Sequence, residues 1–153
     1  VYRRNILTKY SITKGTRFNE PTSNIIEETN MSWIQTADWK KEKHVPVIKI
    51  KKFEDGEAKV VVKVGEEIPH PNTTAHHIKW IDLFFWPEGS KFPYEIGYCT
   101  FDHHGESVDG PDTSSIYSEP VAKFVFKTNK KGKLMATSYC NIHGLWKSET
   151  QLE

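Results

Sequence analysis

Close to the C-terminus, Ser138-Tyr139-Cys140-Asn141-Ile142-His143-Gly144-Leu145-Trp146 places a thiol and an imidazole three positions apart in a turn that Gly144 can close. A thiolate and an imidazole with that spacing can face one metal ion. Further nitrogen donors must come from elsewhere in the chain. His44, His70 and His76 all lie beside prolines or in loop-like sequence.

A lone histidine on a strand is more often a packed or surface residue than a ligand, and this chain has seven. The local settings make the metal reading sharper. His70 lies between Pro69 and Pro71, which stiffen the backbone and remove two amide donors. His76 follows in Asn72-Thr73-Thr74-Ala75, just before an apolar stretch, and His44 precedes Val45-Pro46 where the first strand should begin. Strand ends and their loops gather at one rim of a β-sandwich, where the five side chains would meet. Spacing leaves the choice between His76 and its neighbour His77 open.

One thiolate with several imidazoles suits zinc, copper or iron. A structural zinc site closes with four ligands, whereas five donors suit a five-coordinate ion with one open position. A blue-copper centre, as in a cupredoxin-like electron carrier, takes two His, one Cys and a weak axial Met. Met31 and Met135 lie elsewhere and none follows His143, which weakens copper.

The elements that must position these residues read mostly as strands. Trp33 to Lys41 is expected as a short helix or turn anchored by Trp33, Ile34 and Trp39. Val45 to Phe53 and Ala58 to Val64 flank Glu54-Asp55-Gly56-Glu57, where Asp-Gly supplies the positive φ angles of a hairpin turn. His77 to Trp86 reads as a long buried strand and Tyr94 to Phe101 as another. Gly105 to Pro120 should be mostly loop. Val121 to Thr128 and Lys133 to Cys140 are expected to pair across Asn129-Lys130-Lys131-Gly132 as a second hairpin. Most aromatic side chains fall on these strands, where burial is their default role. Short strands at this spacing with hardly any helical periodicity predict an all-β fold: an antiparallel, seven-stranded, immunoglobulin-like β-sandwich.

Residues 1–30 stand apart. Up to Asn19 they carry Arg3, Arg4, Lys9, Lys14 and Arg17 and no acidic residue, which fits an N-terminal arm or an organelle transit segment. Residues 31–153 then form the single domain. A net charge of +1 gives no basic field for nucleic acid, and no apolar run approaches the ~20 residues that span a bilayer. Cys99 and Cys140 are too few for a disulfide-stapled secreted scaffold, so a reducing interior is expected, with Cys99 a buried strand thiol.

Glu42-Lys43-His44-Val45-Pro46-Val47-Ile48, Ile68-Pro69-His70-Pro71-Asn72-Thr73-Thr74 with His76-His77-Ile78, and the Cys140 motif together resemble superoxide reductases of the neelaredoxin type, the one-iron class of the desulfoferrodoxin family. The resemblance runs from about Ala37 to the C-terminus and includes Gly105-Glu106-Ser107-Val108 and Gly110-Pro111. It lacks the four cysteines of the second iron centre found in desulfoferrodoxins. It implies one mononuclear iron (Fe2+/Fe3+) with four equatorial imidazoles, from His44, His70, His76 and His143, and an axial thiolate from Cys140. It also selects His76 over His77. The family's sixth-position carboxylate falls on Glu42 and its cation near the open site on Lys43. His77, His103 and His104 have no matched role and read as structural or surface residues. The implied activity is one-electron reduction of superoxide to hydrogen peroxide, fed by a rubredoxin-like donor, in a homotetramer. The implied setting is the cytoplasm, or an organelle if residues 1–30 are a transit signal.

Overall fold

The computed structural model describes Ser32–Glu153, so the arm expected at residues 1–30 lies outside the described residues. Among the described residues there are seven strands: β1 (Pro46–Glu54), β2 (Glu57–Val64), β3 (Ile78–Pro87), β4 (Tyr94–Thr100), β5 (Val121–Lys127), β6 (Gly132–Cys140) and β7 (Gly144–Leu152). They form two sheets, β1-β2-β5 and β4-β3-β6-β7, in which every paired neighbour runs antiparallel. In immunoglobulin lettering these are A-B-E and C′-C-F-G, which is the expected sandwich with its fourth strand beside C. Among the described residues no helix is long and apolar enough to cross a membrane.

Alternation of apolar and polar residues builds the core. In β2, Ala58, Val60, Val62 and Val64 point inward and are at most 1% exposed, while Lys59 and Lys63 point out. From the facing sheet Ile81, Leu83 and Phe85 of β3 meet Leu134 and Ala136 of β6. A period of two puts every second side chain on one face, so this pattern locks the strand register. The ladder β3–β6 ends beside the Cys140 motif, with Ile78 opposite Cys140 after a register shift between Ile78 and Trp80.

Several expectations need correction. Of the helix or turn expected over Trp33–Lys41 it is the turn that forms, closed by Lys41 N and Glu42 N donating to Asp38 O, and Gln35 adds an unexpected bridge to Trp146. The β5–β6 connection is not a hairpin. β5 pairs with β2 and β6 with β3 and β7, so Asn129–Gly132 carries the chain from one sheet to the other. Aromatic burial also falls short: Trp86, Phe92, Tyr94 and Tyr98 are half or more exposed. Cys99 is only partly buried. The Gly105–Pro120 loop and the β1–β2 hairpin are as expected, the latter with positive φ at both Asp55 and Gly56.

Candidate metal centre

Five donors reach one end of the sandwich from three places. His44 lies two residues before β1, and its buried carbonyl accepts a hydrogen bond from Ser138 Oγ of β6 at 3.1 Å. Cys140 ends β6 and is fully buried. His143 sits in the three-residue turn between Cys140 and Gly144, which pair across the β6–β7 ladder. Gly144 has φ +75°, a left-handed conformation that side chains disfavour. His70 and His76 come from the β2–β3 connection. There Gly65 has φ +78°, and a Cβ on it would stand 2.6 Å from the His70 backbone N. Any larger residue there must displace the His70 backbone.

The geometry is that of a square. Ring centroids are 4.8 Å apart for His44 and His70, 4.7 Å for His70 and His76, 4.9 Å for His76 and His143, and 4.6 Å for His143 and His44. His44 and His76, at opposite corners, are 6.2 Å apart, against about 6.7 Å for a flat square of that side. One donor atom each from His44, His70, His76 and Cys140 lies within 4.8 Å of all the others. His143 falls outside that group of four, yet its Nδ1 is 3.0 Å from His44 Nε2 and 3.6 Å from Cys140 Sγ. Two imidazole nitrogens bound at right angles to one ion, at roughly 2.0–2.1 Å each, stand about 3 Å apart. We therefore take His143 as the fourth corner.

Ring tautomers follow from the outer hydrogen bonds. His44 Nδ1 faces Glu42 Oε1 at 2.6 Å and His70 Nδ1 faces the Pro71 carbonyl at 2.6 Å, so both rings donate outward and keep Nε2 as a lone pair. His70 Nε2 and His76 Nε2 are buried without any hydrogen-bond partner. Buried polar atoms without partners cost free energy, and a metal ion at the centre of the square would satisfy both. Burial also keeps the imidazoles neutral, as ligands must be. Desolvation lowers the pKa of His44 and His76 and takes that of His70 down to about 4. The positive charge of Lys43 adds to the lowering at all three. Burial pushes the Glu42 carboxyl up, but its contacts with His44 outweigh this and hold it below its usual value. Lys41, Glu42, Lys43, His44, Ile68, His143 and Trp146 line an open depression of about 420 Å³ over the site.

A family model described as Desulfoferrodoxin matches residues 36–149. The chain belongs to the desulfoferrodoxin family. It is 61% identical over 121 residues to the superoxide reductase of Pyrococcus furiosus, covering 78% of this chain and 96% of that one. It is 50% identical over 116 residues to the neelaredoxin of Megalodesulfovibrio gigas, covering 74% of this chain and 89% of that one. Among solved structures, the reduced superoxide reductase (neelaredoxin) of Archaeoglobus fulgidus superposes with a TM-score of 0.78 at 63% identity, covering 80% of this chain and 99% of that one. Family membership and a square of four rings disfavour the cupredoxin-like alternative, whose copper needs two.

The sequence reading gave no role to several residues that build this desulfoferrodoxin-family site. Trp146 stacks on His44 with centroids 5.0 Å apart and donates Nε1 to the His143 carbonyl at 3.1 Å. An aromatic three positions after a candidate ligand was the available signal. His104 is buried, its ring stacked on His77 at 3.6 Å, with Nδ1 facing Asn72 Oδ1 and Nε2 facing the Phe101 carbonyl. His77 and His104 are thus structural. His103 pairs with Glu106 at 3.2 Å toward solvent.

Proposed function

We propose that this protein is a superoxide reductase in which His44, His70, His76, His143 and Cys140 hold one mononuclear iron. The observation that carries the reading is the square of four imidazoles with two orphaned Nε2 atoms, next to a buried thiol. When bound, the iron supplies one electron per turnover by passing from the ferrous to the ferric state. Superoxide, one electron and two protons give hydrogen peroxide.

The protein's own groups do the rest. Neutral imidazoles would leave a bound ion's positive charge largely uncompensated, and Cys140 would supply the one negative charge as a thiolate ligand. Lys43 draws the anionic substrate into the open depression and orients water that delivers protons. Glu42 holds His44 in the tautomer that presents Nε2, and we assign it also as the carboxylate ligand of the ferric resting form. It would have to release the His44 ring to take that second role.

Each turnover consumes an electron, so the ferric protein needs a one-electron donor, which we propose is a rubredoxin-like carrier. We propose a homotetramer as the assembly; exposed Trp86, Phe92, Tyr94 and Tyr98 offer apolar surface for contact between copies. The free thiols of Cys99 and Cys140 support a reducing compartment such as the cytoplasm. Residues 31–153 are proposed as the iron-binding domain and 1–30 as an extension to it.

The test is metal analysis and a visible spectrum before and after oxidation, combined with superoxide consumption. One iron per chain, a sulfur-to-iron band on oxidation and stoichiometric peroxide are expected. Copper, or a folded colourless protein that ignores superoxide, would overturn the reading.

A further inference from the structure

Asn141 lies between Cys140 and His143, yet its side chain reaches across to the other ligand-bearing segment. Its Nδ2 donates to the Ala75 carbonyl at 2.8 Å, and its Oδ1 accepts from the His77 backbone N–H at 2.8 Å. Its own backbone N–H donates to the His77 carbonyl at 3.2 Å. The amide therefore grips the peptide groups on either side of His76. The two partners differ in kind, a carbonyl and an N–H, so only one orientation of the amide satisfies both.

Thr73 closes the other side. It accepts the His76 N–H on its carbonyl at 3.2 Å and on Oγ1 at 3.0 Å, and its N–H donates to the His76 carbonyl at 3.0 Å. Thr73 belongs to the same loop as His76, so it shapes that loop locally. Asn141 belongs to the turn that carries Cys140 and His143, so its side chain ties the His76 loop directly to that turn, beyond the Ile78–Cys140 pairing of β3 with β6.

We infer that Asn141 is a positioning residue that sets His76 against Cys140 and His143, so that the four rings and the thiol keep a common centre. This rests on the ligand set proposed above. It concerns a side chain rather than a ligand, and acts through backbone groups. Outer hydrogen bonds to a metal site commonly change metal affinity by 10–100-fold when removed.

Asn141→Ala removes both arms of the grip. Asn141→Asp keeps an acceptor for the His77 N–H but sets a carboxylate oxygen against the Ala75 carbonyl. Ferrous iron is titrated anaerobically into the iron-free full chain against a competing chelator, beside the melting temperature of the iron-free protein and the ferric visible spectrum. Both variants are expected to bind iron about 10–100-fold more weakly and to shift the sulfur-to-iron band. Asn141→Asp should be at least as impaired as Asn141→Ala. A merely structural asparagine would lower the melting temperature and leave the affinity and band of the folded protein unchanged, which overturns the inference.

His76→Ala, run in parallel, separates the two claims. Iron loss in His76→Ala with wild-type affinity in both Asn141 variants refutes the clamp and spares the ligand set. Wild-type affinity in His76→Ala refutes the ligand set itself, and the clamp with it. Hydrogen exchange at the His77 amide of the iron-free wild-type chain keeps the inference testable if a variant does not fold. Protection is expected, and exchange at the rate of an open loop would refute it.

Discussion

The donors divide by how they are held. Cys140 ends a strand ladder, His143 sits in the turn that Cys140 and Gly144 close, and His44 lies two residues ahead of β1 with its carbonyl held by Ser138 of β6, so the sheets fix all three. His70 and His76 ride on the β2–β3 connection, which has no ladder of its own and is fixed by single devices: the close approach at Gly65, the Pro69 and Pro71 flanks, Thr73 and Asn141. A ladder-held donor moves only if the core moves. A loop-held donor is lost to one substitution that leaves the core intact.

The largest effect is expected on the ladder side. Cys140→Ser should abolish the sulfur-to-iron band and superoxide reduction while the sandwich still folds. Its buried hydroxyl would cost about 1–3 kcal/mol in thermal unfolding if left unpaired. Retained activity would remove the thiolate from the chemistry. On the loop side, Gly65→Ala forces a left-handed conformation on a residue already in contact with His70. A cost of about 1–3 kcal/mol is expected, with iron affinity down about 10–100-fold, read by denaturation and metal titration. If iron binding were unaffected, the loop would be more compliant than argued.

Lys43→Ala is expected to slow association with superoxide by about tenfold and to flatten its dependence on ionic strength, measured by pulse radiolysis. An unchanged rate would exclude Lys43 from substrate attraction. Acid should strain both groups of donors. The pKa of His70 is lowered from 6.5 to about 4, so the unfolded chain takes up its proton first. The His70 contribution to the stability of the iron-free protein is therefore full above about pH 6.5 and falls as the pH drops toward 4. Asp82 runs the other way: burial and the nearby Glu95 raise it to about 6, so it favours the folded state at low pH. His70→Gln should flatten the acid limb, seen in melting temperature against pH. The smallest effect belongs to Glu42→Ala, which should leave reduction nearly intact and change the ferric spectrum; an identical spectrum would contradict ligation by Glu42.

The same division explains what could be read in advance. Lys59 and Lys63 set off the β-branched run of Val60, Val61, Val62 and Val64 so plainly that β2 and its Asp55-Gly56 turn are legible from local sequence. Gly144–Leu152 is less so: its side chains are mostly half-buried and mixed in polarity, and β7 was not delimited beforehand. Asn129–Gly132 has the composition of a hairpin, but turn chemistry is local and does not say which sheet receives the next strand. The five donors were legible as motifs, with His76 chosen over His77 by family resemblance alone. The supports from Trp146, Ser138, Gly65 and the Asn141 side chain were not, because each acts across the fold on a partner distant in sequence or on backbone that composition does not encode.

X-ray absorption at the iron edge of the reduced protein tests the central claim most directly. The account predicts one shell of four nitrogen scatterers and one sulfur, with the sulfur lost in Cys140→Ser. A shell without sulfur in the wild-type protein, or with two nitrogens instead of four, would contradict it.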